Sequence, residues 1–174
     1  PHLSRVIHSS TSHTRVVVFS VPIWDQDDGQ RQVLGVLGLT VELGRFTELR
    51  NADATDRLAV LIDMRADEKG QRGVVLEHPA LLKWLNHGPS DDAPRYLTGH
   101  VELLQQIHEL TNSPDSSQRE QAEQLMHQVD YRDPIGDDPQ QRFLAAIEEV
   151  EVDDRERNTL TLGWFVIVQE DFAE

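Results

Sequence analysis

The chain has 174 residues, no cysteine, and 31 Asp+Glu against 16 Lys+Arg, a formal charge of −15. That length suits one domain, in which folding buries roughly two-thirds of the unfolded surface, so a self-sufficient core needs no disulfide. Thiol catalysis, Cys-ligated zinc and Fe–S clusters are excluded, and the negative field works against nucleic acid and anionic membranes. No apolar run approaches the roughly 20 residues of a membrane span, the longest being 33–41 and 164–168. No signal peptide is recognisable. The sequence starts at Pro1, without an initiator Met, and is expected to be an excised soluble piece of something longer.

Residues 14–24 (TRVVVFSVPIW) are β-branched and aromatic, as strands prefer. Asp28-Gly29 supplies a hairpin turn, and 32–43 (QVLGVLGLTVEL) return. Both strands are apolar on both faces, which predicts central strands covered above and below. Pro22 marks a bulge or strand end, and Gly35 and Gly38 leave gaps where a backbone or ligand could approach. Residues 44–50 read as a short helical turn. Residues 58–64 and 73–77 form a second hairpin around the polar turn 65–72, and 79–86 a short helix with Pro79 in its first turn.

Helical spacing occupies 98–110, where Val101, Leu104, Ile107 and Leu110 share a face, and 117–129, where Ser117 and Glu120 have capping-box spacing. Residues 111–157 hold 13 acids and 5 bases, a net −8 that reads as a solvated, peripheral insertion. Residues 142–152 are a strand or helix–strand mixture, and 159–170 a strand. No internal repeat is visible. The pattern predicts an α+β domain, a central antiparallel sheet of five to six strands with helices on its faces and a helical insertion at about 88–130.

The chemistry-bearing residues give little support for catalysis. No two of the eight histidines have the spacing of a zinc site, and they read as solvated surface residues, so no metal is expected. The DQDDG run at 25–29 lacks the glycine position and closing glutamate of a calcium loop. There is no G-x-S-x-G elbow, and no carboxylate pair stands out as an acid/base couple. The fragment is read as a non-enzyme without cofactor.

Residues 18–43 (VFSVPIWDQDDGQRQVLGVLGLTVEL) resemble the central hairpin of Cache domains, the PAS-like extracytoplasmic sensors of bacterial membrane receptors. Residues 58–79 are similar to that family's second hairpin, and Tyr131-Arg-Asp-Pro134 and 163–170 (GWFVIVQE) resemble segments of the Cache regions of bacterial transmembrane serine/threonine protein kinases. The likeness skips the helical insertion, and the long N-terminal helix of the family is cut short here. It implies a single PAS/Cache-like sensor domain over 1–174, outside the cytoplasmic membrane. Such a domain is tethered by flanking membrane helices absent from this chain, and it signals through its C-terminal exit.

On the family's geometry a small-molecule ligand would touch Ser20, Trp24 and Thr40 from the hairpin and Tyr131 and Asp133 from the covering segment. Thr40 stands where amine-recognising members carry an Asp, so free α-amino acids are not the expected ligand, because an unpaired buried ammonium costs several kcal/mol. A homodimer is compatible with this reading. The alternative is a Cache-like dimerisation or partner-binding spacer without a ligand.

Overall fold

Residues 58–62 are an unbroken apolar run, as a strand buried on both faces requires, and there the computed structural model has the core of its main sheet, with Val60 and Ile62 in one cluster and Leu61 in the other. The structure describes residues 2–8, 15–25, 32–43, 57–66, 70–80, 100–136, 138, 140–153 and 159–172. In chain order these form β1 (His2–Leu3), β2 (Ile7–His8), β3 (Arg15–Trp24), β4 (Val33–Glu42), β5 (Arg57–Asp63), β6 (Val74–Glu77), α1 (Val101–Thr111), α2 (Ser116–Met126), β7 (His127–Tyr131), β8 (Phe143–Asp153) and β9 (Thr159–Asp171).

The fold is α+β, with antiparallel strands in two sheets. The main sheet has five strands in the order β6-β5-β9-β8-β7, so the last strand of the chain is its central one. The second sheet is the hairpin β3–β4, with β1 and β2 paired in succession along the other edge of β3. The two faces of the main sheet carry different partners. Val60, Ile62, Val75, Ala145, Ile147, Phe165 and Ile167 pack with Leu104 and Ile107 of α1. On the opposite face Leu61, Val74, Leu76 and Trp164 pack with Val17 and Leu43 of the hairpin sheet, and Phe19 meets Trp164 edge-on with ring centroids 5.7 Å apart. At about 25 cal/mol per Å² of apolar area, these two interfaces are the main stabilising term.

Several expectations are corrected. The 15–42 hairpin is not the middle of the main sheet. It forms its own sheet, which touches the main one through Val17, Leu43 and their neighbours Phe19 and Val41. Leu34, Val36, Leu37 and Leu39 of β4 are 62–65% exposed. Two apolar faces signalled two covering layers, and the described residues supply neither over most of β4. The acidic stretch 111–157 is not a solvated, peripheral insertion, since it supplies β7 and β8 of the main sheet and buries Tyr131, Asp133, Phe143, Ala145 and Ile147, and the helical region before it packs Leu104 and Ile107 into the core; α2, burying Ala122, is the solvated helix.

Helix α2 is capped by Asp115, whose carboxylate accepts the Ser117 N–H at 2.9 Å, rather than by a Ser117 capping box. The helix stops at Met126, and 127–131 are strand because Tyr131 is needed on the sheet's buried face. The expected turn at 44–50 and most of the helix at 79–86 lie outside the described residues.

Candidate functional site

Helix α1 lies along the inner face of the main sheet, with His100 just before its first turn and His108 in its last. Polar side chains gather at each end.

At the His100 end, β7 closes with Tyr131, and the chain turns over the sheet through Asp133. Tyr131 and Asp133 are 3% and 2% exposed. Asp133 Oδ2 accepts from His78 Nε2 at 2.8 Å, Asp133 Oδ1 accepts the Ile135 N–H at 2.9 Å, and His78 Nδ1 accepts the Ala80 N–H at 2.9 Å. With Nδ1 an acceptor, the ring hydrogen is assigned to Nε2. The group is a clasp that fastens the covering segment after β7 to the end of β6, the opposite edge of the sheet. Burial pushes the Asp133 carboxyl up, but the bonds from His78 and the Ile135 amide, helped by Gln169, outweigh it and hold the acid below its ordinary range.

Above the clasp the His100 ring packs on Tyr131 with centroids 4.8 Å apart. Burial lowers the His100 pKa against an opposing pull from Asp133, and burial followed by the Asp133 charge raises that of Tyr131. Tyr131 Oη, His100 Nδ1 and the carboxamide atoms of Gln169 complete no well-formed hydrogen bond among the described residues. Such a patch suits one or two buried waters, each needing two to four polar partners.

At the His108 end there is a cavity of about 140 Å³, lined by Met64, Arg65, Arg72, Leu104, Gln105, His108, Gly163 and Phe165. Two of its basic side chains already have partners. Arg65 holds Asp63 through Nε at 2.9 Å and Nη2 at 2.6 Å, and donates to the carbonyls of Leu3 and Ser4, stapling the N-terminal strand to the main sheet. His108 Nδ1 sits 2.9 Å from both oxygens of the buried Glu149. Arg72 reaches the Met64 carbonyl at 3.4 Å and makes no ion pair among the described residues.

Gly163 shapes the wall. Its φ is +68°, and a Cβ there would lie 2.9 Å from Arg65 Cγ. The volume is close to the roughly 150 Å³ void that holds one benzene-sized molecule and below the roughly 300 Å³ of drug-sized sites. A ligand of few heavy atoms fits, and among the described residues Arg72 is the lining cation without a carboxylate partner.

The five residues singled out from the sequence fall into two places. Tyr131 and Asp133 come together in the clasp. Ser20 and Thr40 lie on the hairpin sheet, on strands facing each other as Ser20↔Gly38 and Val18↔Thr40. By strand alternation they occupy the face opposite Val17, Phe19 and Val41, turned away from the main sheet. Trp24 ends β3 beyond a register shift and is 46% exposed. None of the five lines the cavity.

Sequence reasoning missed His78, Gln169, Arg72 and His108. His78 is buried rather than a solvated surface residue; its one signal was its place between a strand and Pro79. Among the described residues no group of three His, Asp or Glu side chains is arranged to hold a metal. No protein-family model, curated protein or solved structure matches this chain.

Proposed function

We propose that the chain is an extracytoplasmic, ligand-binding sensor domain of a membrane-anchored bacterial signalling protein, of the serine/threonine kinase kind, that signals through its C-terminal exit. The observation that carries this reading is the position of the cavity on β9. Gly163 and Phe165 wall the cavity, and the same strand is the centre of the sheet and the last element in chain order, ending at Asp171. A ligand bound between α1 and β9 bears on the element that would carry the signal outward, with an effect limited by its differential affinity for two arrangements of that strand. The resemblance of 18–43 and 163–170 to Cache segments supplies the cellular setting, and the strand order of the main sheet agrees with a PAS-like architecture. No helix among the described residues is long and apolar enough to cross a membrane.

Cavity volume and Arg72, which makes no ion pair among the described residues, favour a small anion, such as a short carboxylate, over a larger molecule. Isothermal titration with formate, acetate, propionate, nitrate and phosphate tests this. The expected result is saturable binding of at least one of them, weakened about tenfold or more in Arg72→Gln, the loss of one charge-assisted hydrogen bond. Absence of binding at millimolar concentration by the whole panel overturns the ligand reading. The second reading, a partner-binding or dimerisation spacer, is favoured by the large exposed apolar surface of β4, of a kind that marks interaction sites.

A further inference from the structure

The hairpin sheet repeats three strands of the main sheet. Val17↔Val41, Val18↔Thr40, Phe19↔Leu39, Ser20↔Gly38 and Val21↔Leu37 of β3–β4 correspond pair for pair to Ala145↔Gln169, Ala146↔Val168, Ile147↔Ile167, Glu148↔Val166 and Glu149↔Phe165 of β8–β9. The offset is 128 in both strands, 17 to 145 and 41 to 169. Both hairpins carry a register irregularity toward their turn ends, at Ile23/Trp24 and at Glu149/Glu151.

The short outer strands correspond as well. His8↔Arg15 matches Tyr131↔Phe143, and the Ser4 N–H bonded to the Val18 carbonyl matches His127↔Ala146, an offset of 123, 8 to 131 and 4 to 127. Each short strand slips by one residue along its length, between Leu3 and Ile7 and between Gln128 and Tyr131. The repeat is faint in sequence, where Gly35-Val-Leu-Gly-Leu-Thr-Val-Glu42 aligns with Gly163-Trp-Phe-Val-Ile-Val-Gln-Glu170, sharing the glycine, the glutamate and three apolar positions between them, Val36/Trp164, Leu37/Phe165 and Leu39/Ile167.

The two copies differ at one edge. In the main sheet β5 pairs with β9 from Asp63↔Trp164 to Arg57↔Glu170. At the equivalent edge of β4, residues 36–42, no strand is paired among the described residues. Burial follows the pairing. Trp164, Phe165 and Ile167 are 4%, 1% and 0% exposed, while their equivalents Val36, Leu37 and Leu39 are 65%, 65% and 62%. Residues 33–41 carry no charge, whereas a strand built to remain an edge is guarded by Lys, Pro or a bulge.

We infer that residues 2–43 are the closing half of a second unit built like the main one, and that residues 36–42 of β4 are the seat of an antiparallel strand equivalent to β5. The occupant is a β5–β6-like hairpin with helical cover, uncharged where it meets β4. The order of elements in the complete unit puts that hairpin N-terminal to β1 in the same polypeptide. The inference is independent of the cavity and its ligand.

The chain has no cysteine, so Leu39→Cys places a single reporter thiol on the open strand. Its maleimide labelling is measured in the 174-residue chain, in the same chain with residues 57–126 duplicated in front of His2, and in the chain mixed with a saturating synthetic peptide of residues 57–80. The expected result is labelling near the free-thiol rate in the chain alone and at least tenfold slower labelling in the duplicated chain or with peptide, with light scattering giving a monomer in each protected sample. Adding Leu37→Lys restores fast labelling. Labelling unchanged by both the duplication and the peptide overturns the inference. So does slow labelling of the unmodified-length chain as a dimer, which gives the edge to a second copy instead.

Discussion

Asp133 accepts from His78 and from the Ile135 amide in a region closed to water. Replacing it with Ala leaves two buried donors without an acceptor, so Asp133→Ala is expected to cost about 3 kcal/mol, and Asp133→Asn, which keeps one acceptor, about 1 kcal/mol. Urea midpoints at constant m-value measure both. The same cluster sets a pH profile. Folding lowers the His100 pKa from 6.5, so as pH falls through 6.5 the unfolded chain takes up a proton sooner and stability drops. Folding also lowers the Asp133 pKa from 3.8, adding a loss below about that pH. The Tyr131 pKa is raised from 10.0, so stability falls again as pH rises past 10. Chemical denaturation between pH 4 and 11 is expected to show a plateau between about 6.5 and 10, and His100→Asn to flatten the first acidic slope. Tyr131 and Asp133 were singled out only through the resemblance of Tyr131-Arg-Asp-Pro134 to Cache segments, and not from any local signal. Their partner His78 was not, because nothing local in a sequence states that two residues 55 positions apart share a proton.

Strand chemistry was legible element by element, and strand partnership less so. β5, β6 and β9 fall within one or two residues of their expected ranges, since apolar runs mark strands buried on both faces and polar turns bound them, and β8 resolves the 142–152 segment, left between strand and helix–strand mixture, as strand. β7 was read as the end of a helix because its five residues show too little alternation to compete with the helical pattern before them. The β3–β4 hairpin was correct as an element and wrong in place, because an apolar strand reports that it wants covering, and not by which segment.

That distinction is measurable. Val36→Lys on the exposed strand is expected to change stability by less than about 0.5 kcal/mol. Ile167→Ala, at the fully buried β9 position that corresponds to Leu39 in the repeat, is expected to cost about 2–5 kcal/mol; equilibrium unfolding of the two variants separates them. Gly163 tests the wall between the two elements. Its φ of +68° and the 2.9 Å approach to Arg65 Cγ make Gly163→Ala destabilising by about 1–3 kcal/mol, with loss of whatever anion the cavity binds. A neutral thermal shift for this variant would show that Arg65 gives way.

At the scale of the molecule, two cores share one central sheet, and the fold class was legible from the order of hairpins and helices alone. What sequence could not convey was the layering, since the main sheet has helices on one face and a second sheet on the other, and both layers are apolar strands or stripes to a reader of pattern. The charge also acts at this scale. A formal charge of −15 repels itself across a chain of this size, while exposed pairs such as Arg57–Glu170 and Arg142–Asp130 each contribute roughly 0–1 kcal/mol. Added salt screens both, with a Debye length near 30 Å at about 0.01 M and 8 Å at about 0.15 M. The excess of like charges is spread over distances within the first length and beyond the second, whereas the pairs sit at contact and are screened less. Repulsion therefore loses more than attraction does. Raising NaCl from about 0.01 to 0.15 M at pH 7.5 is expected to stabilise the fold by about 1 kcal/mol, a rise of about 2–4 °C in Tm for a chain of this length, read by scanning calorimetry. A fall in Tm over the same range would mean that the surface ion pairs, rather than the net charge, dominate its electrostatics.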